Sequence, residues 1–299
     1  MATLELAQVK KSFGSTHVIH GIDLAVAHGE FCVFVGPSGC GKSTLLRMIA
    51  GLESVSDGEV RIDGARVNEL GAAERGLAMV FQSYALYPHM SVRQNLSFGL
   101  ENMRVPRVEI DSRVAEAARM LRLEPYLDRR PGALSGGQRQ RVVIARALAV
   151  DPAFIVADEP VSALDVSIQA QVLALLETLK ARRSLSMLFI SHDIAVMEYV
   201  SDRIAVLYLG RVMEIGPAAD VVSTPRHPYT EALVSAVPGG AGRERILLKG
   251  EAPNAADPPS GCVFRTRCPY ALADCAAIVP PLREVSPGHF KACIRDDRP

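Results

Sequence analysis

The chain lacks three features that would restrict its class: a dominant charge, a long apolar run and a signal sequence. Its 299 residues include 33 Lys and Arg and 33 Asp and Glu, so no global attraction to nucleic acid is indicated. No apolar run reaches the roughly eighteen residues of a membrane span. The start, Met1-Ala2-Thr3-Leu4-Glu5-Leu6, has neither region of a signal peptide. We therefore expect a cytoplasmic protein that reaches any membrane through a partner.

Cysteine is distributed unevenly. Cys32 lies in the first part of the chain, where we expect it to pack as a small core residue. Four more cysteines crowd into the tail: Cys262, Cys268, Cys275 and Cys293. Because a reducing cytoplasm disfavours disulfides, the cluster indicates metal or iron–sulfur ligation. The spacing C-x5-C-x6-C differs from the paired C-x2-C of a zinc ribbon, so zinc and free thiols remain alternatives.

A glycine-rich segment predicts a phosphate-binding loop. It consists of Gly36, Pro37, Ser38, Gly39, Cys40, Gly41, Lys42, Ser43 and Thr44. In the pattern G-x-x-x-x-G-K-S, backbone N–H groups surround phosphates, Lys42 reaches the terminal ones and Ser43 ligates Mg²⁺. An apolar run precedes the loop at 31–35 and a helix-forming stretch follows it at 43–49. This context favours a binding site for ATP and Mg²⁺ over a purely structural turn.

An apolar run ending in two carboxylates predicts the catalytic strand. The run is Phe154-Ile155-Val156-Ala157, followed by Asp158 and Glu159. We expect a buried strand that delivers Asp158 to Mg²⁺ and Glu159 to the hydrolytic water as its base. Neighbouring side chains on a strand point to opposite faces, but Pro160 ends this strand, so both carboxylates can reach the phosphate.

Between these motifs lies Leu134-Ser135-Gly136-Gly137-Gln138, which resembles the signature of ATP-binding-cassette (ABC) ATPases. The resemblance covers nearly the whole chain. It implies that Ser135, Gly136, Gly137 and Gln138 contact the ATP held by a second ATPase subunit, either a copy of this chain or a sister subunit. The backbone donors of Ser135 and Gly137 would then bind the γ-phosphate at a helix N-terminus.

The resemblance also implies roles for four residues outside these motifs. Phe13 would stack on adenine, with a buried core position as the alternative. Gln82 would approach Mg²⁺ and the attacking water, and His192 would contact the γ-phosphate. Asp165 would connect the two ATP sites across the dimer. The catalytic set is therefore Glu159, Gln82 and His192.

Alternation of strands and helices, together with the resemblance, predicts the fold class and domains. We expect an α/β P-loop NTPase core of ABC type, with a mixed sheet, an antiparallel β-edge and a helical subdomain at about 85–150. The nucleotide-binding domain spans 1–237. Residues 238–299 form a small, loop-rich, cysteine-containing extension of oligopeptide-transporter type.

Two branches of ABC importers are visible in one chain. Residues 1 to about 140, above all 76–92, resemble the maltose and glycerol-phosphate branch. Residues from about 150 to 299 resemble the oligopeptide and dipeptide branch, on 158–172, 226–233 and 259–269. Some members of the peptide branch carry an iron–sulfur cluster, so the resemblance implies [4Fe–4S] at the tail cysteines.

The resemblance predicts an ATPase that drives solute uptake through transmembrane permease subunits, with an external solute-binding protein reached indirectly. Oligopeptides or dipeptides are the favoured solute, and a sugar or glycerol phosphate is the alternative. An ABC-type ATPase that acts on nucleic acid would show a second cassette, a long coiled-coil insertion or a basic stripe, and none is present. We expect a peripheral location at the cytoplasmic face of the inner membrane.

Overall fold

The computed structural model describes residues 3–81, 85–161, 164, 166–183, 185–191, 194–237 and 244–296. The strands are β1 (Leu4–Phe13), β2 (Thr16–Val26), β3 (Phe31–Val35), β4 (Asp57–Ile62), β5 (Ala65–Arg66), β6 (Leu77–Val80), β7 (Phe154–Asp158), β8 (Ser186–Ile190), β9 (Arg203–Tyr208), β10 (Arg211–Pro217), β11 (Arg283–Ser286) and β12 (His289–Lys291). The helices are α1 (Lys42–Ile49), α2 (Val92–Asn102), α3 (Arg107–Met120), α4 (Gly136–Ala149), α5 (Val166–Arg183), α6 (Ile194–Val200), α7 (Ala218–Ser223) and α8 (Pro228–Ser235).

Two sheets organise the described part of the chain. The larger is mixed and has the order β11-β12-β10-β9-β3-β8-β7-β6. Within it β6, β7, β8, β3 and β9 run parallel, whereas β10, β12 and β11 pair antiparallel. The smaller, antiparallel sheet has the order β2-β1-β4-β5. The predicted α/β fold with an antiparallel β-edge is confirmed.

The central strands are buried on both faces, as continuous apolar runs predict for parallel strands. Every residue of β3 is buried. Phe31, Val33 and Val35 pack in the core on the helical side. Cys32 and Phe34 pack on the opposite side, with α1 and the small sheet. Burial, as the main cause, raises the pKa of Cys32 to about 12, so this cysteine is an inert core thiol, as predicted.

Helices α2, α3 and α4 pack against one another within the region predicted to form a helical subdomain. On α3, Val114, Ala117 and Ala118 are buried in the core, and Leu121 follows on the same face. Spacing of three and four residues places these side chains along one stripe. This stripe is the apolar face by which α3 packs against the core.

The tail is loop-rich over most of its described length, but its last strands join the main sheet. Strand β12 pairs antiparallel with β10, with Glu214 opposite Lys291 and Ile215 opposite Phe290. Strand β11 then pairs with β12. The extension is therefore hydrogen-bonded to the nucleotide-binding region rather than detached from it, and the predicted boundary at residue 238 stays a prediction.

Candidate nucleotide site

The phosphate loop connects β3 to α1, as its sequence context predicts. Gly39 and Gly41 have φ of 77° and 99°, in the left-handed region that favours glycine. Gly36 is required for another reason, since a Cβ there would lie 2.3 Å from the carbonyl oxygen of Leu207. Ser38 and Gly39 are exposed at the tip of the loop. The backbone thus curves around an open position at the start of α1, where anions bind favourably.

Lys42 lies inside this loop. Its Nζ donates hydrogen bonds to the carbonyl oxygens of Gly36 at 2.7 Å and Pro37 at 2.9 Å. The same ammonium is 3.7 Å from the sulfur of Cys40. The lysine side chain is 7% exposed. A buried positive charge therefore adds to that of the helix N-terminus, and the combination attracts phosphate.

Ser43 and Asp158 come together at the carboxyl end of β7. The Ser43 hydroxyl donates a hydrogen bond of 3.2 Å to Oδ1 of Asp158. Burial, as the main cause, and the nearby Glu159 carboxylate raise the pKa of Asp158, although Ser43, Arg47 and Lys42 act in the opposite direction. A divalent cation would stabilise this carboxylate, and Mg²⁺ prefers oxygen ligands. The hydroxyl and carboxylate donors fit the predicted magnesium site.

Glu159 follows directly after the end of β7. Its φ is 45°, a conformation that is rare for residues other than glycine and is often found at functional sites. Its backbone N–H donates to the carbonyl oxygen of Ile190, the last residue of β8, at 3.2 Å. This bond fixes the turn, so the two adjacent carboxylates lie at the carboxyl end of the parallel strands, where ligands bind in such sheets.

The signature begins α4. Ser135 is exposed and is the N-cap, and its Oγ accepts a 3.3 Å hydrogen bond from the Gln138 N–H. In return, Oε1 of Gln138 accepts a 2.9 Å bond from the Ser135 N–H. The Ser135 amide, predicted to donate to phosphate, is therefore bonded to Gln138. The amides of Gly136 and Gly137 are the other two donors at this helix start.

Gly137 also has a packing role. A Cβ on Gly137 would lie 2.6 Å from Cγ2 of Ile168 on α5, a separation that real side chains do not tolerate. The absence of a side chain lets α4 approach α5 closely at this point. The glycine therefore serves the structure of this chain as well as the contact predicted with a second subunit.

Phe13 lies at the end of β1 with 49% of its side chain exposed. The structure therefore rules out the buried core position considered above. The Nζ of Lys11 is 4.7 Å from the centroid of the ring and is held by Glu53 at 2.6 Å. An exposed ring fixed by a cation is suited to stacking on a planar base, and its contact with adenine stays a prediction.

Two supporting residues were missed by the sequence analysis. Gly210, between β9 and β10, donates its N–H to the carbonyl oxygen of Cys40 at 2.9 Å and so supports the phosphate loop. A glycine between two apolar strands is a sequence pattern that could have predicted a turn at this position.

Arg75 is 6% exposed and donates to the carbonyl oxygens of Met48 at 2.6 Å and Ile49 at 2.9 Å. It binds the C-terminal end of α1, and no local pattern indicates this.

Three predicted site residues, Gln82, Asp165 and His192, lie outside the described residues. Their roles stay predictions. The described site therefore comprises the phosphate loop, the carboxylates of Asp158 and Glu159 and the exposed start of α4. Backbone amides with a lysine are the groups that bind phosphate in proteins, and a hydroxyl with carboxylates is a donor set that suits a divalent cation.

The four tail cysteines line one small cavity with Phe264 and His227. Burial, as the main cause, raises the pKa of Cys268 to about 11, and it also raises the pKa of Cys262. Among the described residues, no group of three or more His, Cys, Asp or Glu is arranged to hold a metal ion. The four cysteines line one cavity, and an iron–sulfur cluster, zinc or free thiols at this place stay predictions.

Comparisons with known proteins agree with the geometry. The family described as ABC transporter matches residues 19–162, and the family described as oligopeptide/dipeptide transporter, C-terminal region, matches residues 213–275. A putative peptide import ATP-binding protein of Brucella ovis is 49% identical over 292 residues, covering 94% of this chain and 92% of the relative. The oligopeptide transport ATP-binding protein AppF of Bacillus subtilis is 42% identical, with 97% and 96% covered.

Relatives of another branch and solved structures are similar too. The sn-glycerol-3-phosphate import ATP-binding protein UgpC of Paracoccus denitrificans is 48% identical over 234 residues, covering 78% of this chain and 66% of the relative. The structure of cbiO1 from Clostridium perfringens has a TM-score of 0.69 and 29% identity, covering 74% of this chain and 90% of the neighbour. A dimeric ATP-binding cassette with bound ADP and phosphate has a TM-score of 0.65 and 33% identity, covering 72% and 98%.

The phosphate loop with its neighbouring carboxylates, on this mixed sheet, defines an ATPase with a P-loop NTPase fold. The chain belongs to the ATP-binding proteins of ABC transporters, and it carries the oligopeptide/dipeptide C-terminal region. Similarity to both importer branches agrees with the two resemblances seen in the sequence. None of the helices within the described ranges is long and apolar enough to cross a membrane.

Proposed function

We propose that this chain is the ATP-hydrolysing subunit of an importer for oligopeptides or dipeptides. The Ser43–Asp158 contact beside Glu159 is the single observation that supports hydrolysis most directly. The solute class is supported by the C-terminal region at 213–275 and by the relatives named as peptide importers.

Hydrolysis requires a cation, a positioned water and a base. Ser43 and Asp158 would hold Mg²⁺, which would neutralise charge on the terminal phosphates when bound. Lys42 and the amides at the start of α1 bind the phosphates. Glu159 orients the attacking water and accepts its proton. Gln82 and His192 are proposed to position the water and the γ-phosphate.

Dimerisation follows from the position of the signature. The start of α4 is exposed at Ser135, and its N-terminal dipole attracts the γ-phosphate of an ATP bound to a second ATPase subunit. Two such contacts enclose two ATP molecules, and Asp165 is proposed to link the sites. Hydrolysis weakens each contact, so the dimer opens and closes with the nucleotide state. This movement drives the permease subunits, which receive solute from an external binding protein.

A cavity of about 210 Å³ beside α2 and α3 is a candidate contact site for a permease subunit. Met90, Phe98 and Val114 contribute apolar lining to this cavity, and Gln94 and Ser97 contribute polar lining. Its rim carries charges of both signs, on Arg93, Glu101, Arg107 and Asp111. A lining that combines apolar, polar and charged side chains suits a short amphipathic segment of a membrane protein. Binding there would hold the chain peripherally at the cytoplasmic face of the inner membrane.

Reconstituted transport tests the proposal. The chain is assembled with its permease subunits and solute-binding protein in liposomes, and uptake of labelled dipeptides and oligopeptides is compared with uptake of maltose and sn-glycerol 3-phosphate. We expect ATP-dependent peptide uptake that the Glu159→Gln variant abolishes. Uptake of glycerol phosphate or maltose alone would support the second candidate, which the similarity to the glycerol-phosphate relative favours. Retention of nucleic acid by the purified complex would contradict both.

Permease choice is tested by an exchange of residues 83–92 for the equivalent peptide-branch segment. Because this segment contributes Met90 to the cavity, we expect the exchange to change which permease co-purifies. Replacing ten contact residues can change the free energy of binding between the chain and a permease by several kcal/mol. Unchanged pairing would place the determinant elsewhere.

The state of the tail cysteines is tested by elemental analysis. A [4Fe–4S] cluster would make protein purified without oxygen brown, with iron and sulfide present, whereas zinc would leave it colourless. Six titratable thiols per unfolded chain, with no bound metal, would show that the tail cysteines are free thiols.

A further inference from the structure

Arg146 connects the signature helix to the segment that leads into the proposed permease contact. It lies on the last turn of α4, about 16 Å along the helix from Ser135 at 1.5 Å per residue. Its Nη1 donates a 2.6 Å hydrogen bond to the carbonyl oxygen of Ala85. Its guanidinium carbon is 5.9 Å from the centroid of the Tyr87 ring. One side chain therefore makes two contacts with the segment 85–91.

The segment 85–91 has a defined conformation. Ala85 has a φ of 46°, which is strained for alanine and persists only where neighbours fix it. The buried amide of Asn95 binds the segment from α2: Oδ1 accepts from the Tyr87 N–H at 2.9 Å, and Nδ2 donates to the carbonyl oxygens of Tyr87 and Met90 at 3.2 Å each. The Asn95 side chain therefore links Tyr87 to Met90.

The same segment reaches the permease cavity. The Tyr87 ring packs on Phe98 with 4.6 Å between centroids, and Phe98 and Met90 line the cavity of about 210 Å³. A continuous series of contacts therefore runs from α4 through Arg146 and Tyr87 to this surface. Energetic coupling between distant sites is carried by packed side chains, hydrogen bonds and rigid elements in contact.

We propose that Arg146 is a positioning residue that transmits movement of the signature helix to the permease-contacting segment 85–91. The proposal rests on the proposed function, because it requires that the start of α4 binds ATP of a second subunit and that the cavity binds a permease. Arginine suits the task, since a planar guanidinium can donate to a carbonyl and face an aromatic ring at once. Lysine can satisfy one contact well but not both.

The test compares ATP hydrolysis by the assembled importer with and without solute-loaded binding protein, which gives a stimulation ratio. Arg146→Met is expected to lower the ratio about tenfold, a usual size for coupling between sites, while unstimulated hydrolysis and the KM for ATP change by less than about twofold. Arg146→Lys should retain an intermediate ratio. The matched control is Arg141→Met on the same helix, whose guanidinium contacts Gln171 at 2.9 Å; its ratio should equal that of the unaltered importer.

Tyr87→Leu removes the ring and tests the contact from the other side. If the two residues act together, the double variant Arg146→Met with Tyr87→Leu is no worse than either single variant. The proposal is overturned if the losses in the double variant are additive. It is also overturned if Arg146→Met lowers stimulated and unstimulated hydrolysis equally, or if its stimulation ratio is normal. If Arg146→Met does not fold, the Arg146→Lys and Tyr87→Leu ratios decide.

A measurement on the assembled importer, which contains both ATPase subunits, separates this proposal from the proposed function. In the Glu159→Gln background, ATP should change amide hydrogen exchange both at the start of α4 and in residues 85–91, and Arg146→Met should remove only the second change. A change in 85–91 that persists in Arg146→Met overturns the positioning role. Transport of a solute other than peptide overturns the proposed function but leaves this result unaffected.

Discussion

Glu214 Oε1 lies 2.7 Å from Nε2 of His289, and the two side chains are 0% and 1% exposed. The same carboxylate accepts hydrogen bonds from the backbone N–H groups of Arg226 at 2.7 Å and His227 at 2.8 Å. Gly216 leaves room for the imidazole, since a Cβ there would lie 2.6 Å from His289 Cδ2. Because Glu214 is on β10 and His289 is on β12, one buried carboxylate joins the C-terminal strands to the rest of the sheet.

Glu214→Leu is therefore expected to lower the free energy of unfolding by about 3 to 5 kcal/mol, because each buried donor left without its acceptor costs about 1 to 3 kcal/mol. The substitution leaves His289 and two backbone donors without their acceptor. Urea unfolding followed by circular dichroism gives the measurement, with Glu251→Leu at an exposed position of the tail as the control. Equal stability of the two variants would show that the carboxylate is not needed.

His227 should make stability fall with acid. Burial, as the main cause, lowers its pKa to about 4, with Lys291 acting in the same direction and Glu214 in the opposite one. The unfolded chain, with a histidine pKa near 6.5, therefore binds the proton first as pH falls. The stabilisation is complete above about pH 6.5 and is lost between there and about pH 4, by about 3 kcal/mol in total.

The comparison variant is His227→Asn, because asparagine can also accept the hydrogen bond that Nδ1 of His227 takes from the Tyr229 N–H at 3.0 Å. Unfolding free energies are measured at intervals from pH 7.5 to 4.5. The variant should lose less stability than the unaltered chain over this range, and parallel curves would contradict the assignment.

Glu159→Gln is expected to leave ATP binding intact and to slow turnover by at least about a hundredfold, the scale for loss of a positioned base. ATP-dependent dimers should then accumulate and be detectable by size-exclusion chromatography. Glu198→Gln, at an exposed position on α6, should behave as the unaltered chain. Turnover near normal in Glu159→Gln would remove this residue from the catalytic role.

Gly137→Ala should destabilise the chain by about 1 to 3 kcal/mol, as overpacking usually does, because its Cβ would lie 2.6 Å from Ile168 Cγ2. Adding Ile168→Ala makes space for the new methyl group and should recover part of the loss relative to Ile168→Ala alone. Urea unfolding of the three variants measures this coupling. Strictly additive effects would show that the α4–α5 contact is not the cause.

The sequence was sufficient for the phosphate loop, which depends on local patterns: glycines at fixed spacing, with an apolar run before them and a helix-forming stretch after them. It was sufficient for the fold class only together with the resemblance to ABC ATPases. It was insufficient where residues far apart in the chain meet. Arg75 binds carbonyls at 48 and 49, Arg146 binds the carbonyl at 85, and His289 pairs with Glu214. None of these contacts has a local signature, because each depends on how separate elements pack. The hydrogen bond from the Ser135 N–H to the Gln138 side chain joins residues only three apart, but predicting it requires knowing that Ser135 is the N-cap of α4.

The pairing of β12 with β10 has a consequence for solubility. A strand without a neighbour presents a row of unpaired N–H and C=O groups and invites pairing with another molecule. The extension covers β10 and ends the sheet instead with β11, a four-residue strand that carries Arg283 and Glu284, and short charged strands resist such association. A chain truncated at residue 238 would expose β10 and tend to aggregate, so the extension protects the protein against self-association whatever its cysteines bind.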